Sequence, residues 1–199
     1  MAHVPQTVPY AWPYDGGRSI LSTDRLAVVA CGVQDHWLAH VVRPSELPGA
    51  HAVVAGAREQ GVHVEWVRHG AAVGALRPVD RALPEVGSAP WQLAGDVHPE
   101  DLVVDVPALD GFVTGELDLQ LRWRGIDRLA LVGVGTETTV SSTNRSANDR
   151  GFECLTLSDA VLHHDDDTGA ASLSSVCMSG GIFGAVGTSE NLLAAVAAT

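Results

Sequence analysis

Lysine is absent from the chain, so all 12 basic residues are arginines; 24 acidic residues stand against them, for a formal net charge of −12. Any chemistry that needs a lysine, whether as a Schiff base or as a cation beside a developing anion, is excluded. A nucleic-acid partner is excluded with it, because reading phosphates takes a clustered basic surface and these arginines are scattered. Anionic membranes are disfavoured on the same ground. Cysteine is scarce: Cys31, Cys154 and Cys177 share no short spacing, which argues against a disulfide framework or a zinc knuckle. Cys31 and Cys154 lie in strand-like runs and read as small buried hydrophobes. No apolar run approaches the roughly 20 residues that span a bilayer. The opening MAHVPQTVPYAWPYDGG lacks a basic stretch followed by an apolar core, so no secretory signal is expected. The expectation is a cytoplasmic protein without metal or cofactor.

What is present is ordinary globular material: 199 residues, 46% hydrophobic and 18% charged, enough for one domain with a substantial core. Residues 1–24, rich in Pro, Gly and aromatics, read as an arm packed on the surface of a domain spanning 25–199. Strands are expected at 25–31, 62–68, 101–106, 128–134, 152–157 and 180–186. Helices are expected at 46–60, ending at Gly61, and at 114–124, 137–150, 167–178 and 188–198. Residues 69–100 form a long connection, a kind of segment that is often functional. Strands alternating with helices imply βαβ units and a mainly parallel sheet, hence an α/β fold. Its crossovers are right-handed, and its ligands bind beyond the strand C-termini where the strand order reverses.

Several phrases in fixed order are more specific. YAWPYDG (10–16) precedes VVACGVQDHW (28–37), and DVPALDGFVTGELDLQLRWRGID (105–127) follows. Then come LALVGVGTETTVSSTNRSANDRGFECLTLSDA (129–160) and GGIFGAVGTS (180–189). Together they resemble the isochorismatase-like cysteine hydrolases, with the ureidoacrylate and biuret amidohydrolases as the most similar branch. The resemblance implies a three-layer α/β/α fold with a six-stranded, mainly parallel sheet of order 3-2-1-4-5-6. It also implies a homodimer or homotetramer, and a small-molecule ligand bound in a pocket. In that family an Asp deprotonates a Cys, a Lys supports the charge, and a helix N-terminus supplies an oxyanion hole.

All three catalytic positions depart from the pattern. Gln34 matches the Gln of the first motif, which puts Gly32 where the Asp belongs; glycine cannot accept a proton. Phe112 and Asp110 match the second motif, which puts Val106 at the Lys. The third motif reads Gly133 to Val140, with Thr139 at the nucleophile. A threonine hydroxyl is a poor nucleophile without a base, and the base position is Gly32. Thr136 reads as a helix N-cap, with the amides of Thr138 and Thr139 facing an oxyanion. By resemblance, a cis peptide is expected at Val134–Gly135, and Gly135 would ease it.

Other residues could act in their place. His36 and Asp35 follow the first strand, where an imidazole could serve as acid or base. Arg68 could hold a carboxylate or simply pair on the surface. Trp37 and Trp91 could wall a pocket or pack in the core. Glu137 sits where a carboxylate favours the helix dipole in any case. HHDDD (163–167) reads as a solvated loop. Relatives carry Gln where Ser179 stands, so substrate contacts there differ. Gly32 and Val106, smaller and less polar than Asp and Lys, would enlarge the cavity. Three functions stay open: a repurposed non-hydrolytic enzyme working by cyclisation, rearrangement or acid–base chemistry; an inactive binding or structural subunit; and a residual hydrolase using Thr139 or a His36-activated water.

Overall fold

Short aliphatic runs form the strands β1 (Leu26–Cys31), β2 (His63–His69), β3 (Leu102–Val106), β4 (Arg128–Val134), β5 (Glu153–Leu162) and β6 (Ala185–Gly187). The computed structural model describes residues 3–14, 21–71 and 83–199. The strands make one sheet of order β3-β2-β1-β4-β5-β6, parallel at every pairing. This is the expected order, with its reversal between β1 and β4. Both central strands are buried along their whole length, as strands covered on two faces must be. The helices are α1 (Asp35–Leu38), α2 (Leu47–Glu59), α3 (Glu116–Trp123), α4 (Ser141–Asp149), α5 (Asp166–Met178) and α6 (Ser189–Ala197).

Side-chain alternation along β1 divides the core in two. Leu26, Val28 and Ala30 face one cluster, which α2 and α6 close with Val53, Val54, Leu192 and Val196. Ala27, Val29 and Cys31 face the other, which α3 and α4 close with Leu117, Leu121 and Ala147. Helix α2 stops at Gly61, whose φ of +73° suits glycine. The Gly61 amide donates to the Arg58 carbonyl and the Val62 amide to the Ala57 carbonyl, both at 2.9 Å, which satisfies the helix end. On α3 only Leu117 and Leu121 turn inward, whereas Leu119 and Trp123 are 67% and 80% exposed.

Three expectations change. The arm is more than a surface layer: Trp12 and Leu21 are wholly buried within the first cluster, and Val8 bridges to Val186 of β6. Strand β5 does not stop at 157 but runs to Leu162, and its register with β4 shifts between Leu131 and Gly133. The GGIFG run is a turn, not a strand, because Gly180, Gly181 and Gly184 all take positive φ. Of the long 69–100 connection, residues 72–82 lie outside the described residues, as do 15–20 of the arm. Among the described residues no helix is long and apolar enough to cross a membrane.

Candidate active site

β1 and β4 end side by side, with Cys31 opposite Gly133, and the chain leaves both through glycine. Gly32 has φ +62° and Gly135 φ +85°. A Cβ placed on Gly32 would lie 3.1 Å from Thr139 Oγ1 and 2.9 Å from the Val134 carbonyl oxygen. The positions to which the resemblance assigns base and nucleophile are thus neighbours here, a glycine and a threonine hydroxyl. Thr139 is wholly buried, and its hydroxyl donates to the Val134 carbonyl, with the Gly135 carbonyl at 3.4 Å. Both partners are backbone acceptors, so neither draws the proton off the oxygen.

The corner after β4 differs from expectation in three respects. Among the described residues the cis peptides are Val8–Pro9 and Trp12–Pro13, so Val134–Gly135 is trans. The left-handed Gly135 makes the bend instead, while its amide donates to the Leu162 carbonyl at 2.9 Å and extends the β4–β5 ladder. Thr136 is not the N-cap; that position is Gly135, and Thr136 begins a π-helical turn over Thr136–Val140. The Thr136 hydroxyl donates to the Leu162 carbonyl at 3.1 Å, which leaves its oxygen to accept from His163 Nδ1 at 2.7 Å. Finally, the Thr138 amide donates to the Gly135 carbonyl at 2.9 Å. One of the two amides expected to face an oxyanion is thereby already engaged.

The HHDDD run is solvated only at its aspartates: Asp165, Asp166 and Asp167 are exposed, the last two opening α5, whereas the two histidines turn inward. His163 braces Thr136, and Asp165 caps α5 by accepting from the Thr168 amide at 2.9 Å. His164 reaches the corner itself. Its Nε2 lies 3.3 Å from the Cβ position at Gly135, which Thr138 Oγ1 and Thr139 Oγ1 also surround. His164 Nδ1 faces the His40 carbonyl at 3.3 Å and its amide donates to Glu137 Oε1 at 2.8 Å. A carbonyl can only accept, so Nδ1 carries the proton and Nε2 the lone pair of the neutral ring. The His164 ring stands 5.9 Å from that of Trp37, which lies on α1 with His36 edge-on at 5.0 Å. Asp35 opens α1 and is exposed.

Gln34 ties the site together from beneath. It is fully buried; its Oε1 accepts from the His69 amide at 2.7 Å, and its Nε2 donates to the carbonyls of His69 and Trp91 at 3.2 and 2.7 Å. His69, at the end of β2 and paired in register with Val106, is fully buried with Nδ1 on the Ala108 carbonyl at 3.0 Å. Burial drives its pKa down to about 4, against smaller opposing effects of that hydrogen bond and of Asp110. Burial likewise pushes the Cys31 thiol up to about 12, although the Thr143 hydroxyl opposes the shift, so Cys31 is no substitute nucleophile.

Several candidates fall to structural roles. Arg68 holds both carboxylate oxygens of Asp105, at 2.6 and 3.0 Å, and stacks 3.8 Å over the Trp91 ring. Trp91 is buried beneath it. Phe112 and Val106 lie in the second core cluster, Phe112 against Phe152 at 5.5 Å. Ser179 closes α5, donating to the Val176 carbonyl at 2.7 Å and accepting from the Phe183 amide at 3.1 Å. The corner thus gathers Gly32, Gly135, Thr138, Thr139, His164 and Glu137, with Trp37 alongside. His164 was missed from sequence. The sequence carried no clear signal for it, because β5 runs to Leu162, past its expected end at 157, and so brings His164 to the strand's C-terminal end.

The model of the isochorismatase domain matches residues 27–190. The chain belongs to the isochorismatase family. Among solved structures it is similar to a cysteine hydrolase from Pseudomonas syringae pv. phaseolicola 1448A, with a TM-score of 0.80 and 21% identity over 91% of this chain and 96% of that one. An isochorismatase family protein from Burkholderia thailandensis gives a TM-score of 0.74 at 25% identity, covering 90% of this chain and all of its own. Ureidoacrylate amidohydrolase RutB of Methylorubrum extorquens (strain AM1) is 30% identical over 132 residues, 54% of this chain and 53% of its own length. YwoC, an isochorismatase family protein of Bacillus subtilis (strain 168), is 35% identical over 98 residues, 48% of this chain and 47% of its own. The chain therefore spans about half the length of the curated relatives it matches.

Proposed function

We propose that this isochorismatase-family chain has given up thiol-dependent hydrolysis. In this reading its pocket works on a small organic molecule by acid–base or templating chemistry, as in a cyclisation or rearrangement. One observation carries it: Gly32 faces Thr139, and the Thr139 hydroxyl donates to a backbone carbonyl. A nucleophile needs a base to take its proton, and here neither neighbour is one. Val106 leaves no cation to hold a developing anion. What remains at the corner is an imidazole, His164, whose Nε2 has no hydrogen-bond partner among the described residues and can serve as a proton acceptor.

A panel of small amides, ureas and esters tests this directly. The expected outcome is no turnover above the uncatalysed rate. Hydrolysis by the wild type that disappears in Thr139→Ala would sink the reading and install a threonine-dependent hydrolase.

Gly32→Asp should not restore the family arrangement. The positive φ disfavours any side chain, and the new Cβ would press on the Val134 carbonyl at 2.9 Å. A destabilisation of about 1–3 kcal/mol in urea unfolding is expected, with no gain of amide hydrolysis even when paired with Thr139→Cys. A stable double variant that cleaves amides would show the pocket to be closer to its relatives than argued.

A further inference from the structure

Three buried polar atoms of residues at or beside the corner have no hydrogen-bond partner among the described residues: Glu137 Oε2, His164 Nε2 and Trp37 Nε1. Trp37 itself is only 7% exposed. His164 connects the set, since its amide is held by Glu137 Oε1 and its ring stands beside Trp37. Leaving such groups unpaired is expensive, most of all for a carboxylate oxygen. Their chemistry defines what would satisfy them. Glu137 Oε2 and the Nε2 lone pair are acceptors, and the indole N–H is a donor.

Charge narrows the choice further. Among the described residues Glu137 forms no ion pair, and Arg68 is already committed to Asp105. The family's lysine position holds Val106, so no cation from that position reaches the carboxylate. Set against the described residues alone, an anionic ligand would meet the Glu137 carboxylate without a paired cation, whereas a cationic donor would complete it.

We propose that the corner binds a small ligand through a protonated amine. The ammonium donates to Glu137 Oε2 and His164 Nε2, and an oxygen of the ligand accepts from Trp37 Nε1. The aromatic face of Trp37 adds to the attraction for a cation. This rests on the reading that the pocket takes a small organic molecule, and it assigns that molecule's charge.

Calorimetry with three matched probes tests it: benzylamine, benzyl alcohol and benzoate, each against the whole chain. Benzylamine should bind at least about tenfold tighter than the other two, as charge-assisted hydrogen bonds imply. Glu137→Gln keeps an acceptor for the His164 amide, so the fold should hold, which circular dichroism checks. It should weaken benzylamine about tenfold to a hundredfold and benzyl alcohol, which carries no charge, by far less. Trp37→Phe should weaken 2-amino-2-phenylethanol more than benzylamine, which has no oxygen to receive the N–H and loses only part of the ring's attraction for its cation. Benzyl alcohol or benzoate binding as tightly as benzylamine would overturn the amine assignment while leaving the small-molecule pocket standing. Equal benzylamine affinity in Glu137→Gln would overturn it as well. No binding by any of the probes would overturn both the assignment and the pocket reading.

Discussion

Gly133→Ala should leave almost no folded protein. Gly133 sits in β4 opposite Cys31 of β1, at φ +128° and fully buried between the two central strands. A Cβ there would collide with the Cys31 carbonyl oxygen and come within 2.8 Å of the Cys31 nitrogen. Both are backbone atoms of a paired strand and cannot swing aside as a side chain can. The sheet would have to open at its centre, at a cost above about 4 kcal/mol, a large part of the roughly 5–15 kcal/mol that stabilises a domain. Gly61→Ala and Gly151→Ala are the controls. Their φ values of +73° and +81° are also positive, yet nothing lies within 4 Å of the added atom. Each should cost only about 1 kcal/mol, from backbone strain alone. Thermal melts of the three variants separate collision from strain. A Gly133→Ala protein melting within a few degrees of the controls would contradict the packing described.

Glu65 and His69, on the same strand, should impose opposite pH dependences that largely cancel. Glu65 is buried, and one of its carboxylate oxygens has no partner among the described residues. Burial raises its pKa to about 7, with Arg124 opposing and Asp101 assisting. A raised folded pKa means that its contribution is full below the unfolded value near 4.5 and is lost as pH rises through 7. For His69, lowered from 6.5 to about 4, the sign reverses: its contribution is full above 6.5 and is lost as pH falls through 4. Each shift corresponds to about 3 kcal/mol. Between those limits the wild-type profile should be nearly flat on account of this pair. Relative to wild type, Glu65→Gln should gain about 3 kcal/mol on going from pH 4.5 to 8. His69→Gln should gain a similar amount on going from pH 7 to 4. Taking differences along pH removes the packing cost of each substitution. Parallel profiles for variants and wild type in urea titrations would show that neither group titrates as its burial implies.

Much of the fold was legible because it depends on local pattern. The apolar runs of β1 and β4, the glycine after α2 and the βαβ alternation each follow from short-range rules. The errors share one cause, which is that local composition misleads where a distant partner decides. Ser158 and Asp159 look like the end of β5. The strand continues because the Ser158 hydroxyl donates to the Gly187 carbonyl at 3.1 Å and Asp159 accepts from the Ser189 amide at 2.9 Å. GGIFG looks apolar, but its glycines turn. At the site, the meeting of Gly32 with Thr139 was legible only through the family resemblance. The corner formed by His164 and Glu137 was not, since it requires the β5 loop to fold back on the π-turn. For Arg68 the surface-pairing alternative holds, but the identity of its partner, Asp105 on the neighbouring strand, could not be read from sequence.

Gln34 has a consequence beyond its own bonds. One carboxamide fastens the end of β2 and the Trp91 segment to the turn after β1, so three segments beside the corner share a single hinge pin. A change in that one side chain would shift those segments relative to one another while leaving the groups of the corner untouched. Breadth of ligand choice and chemical competence can thus drift independently in this architecture.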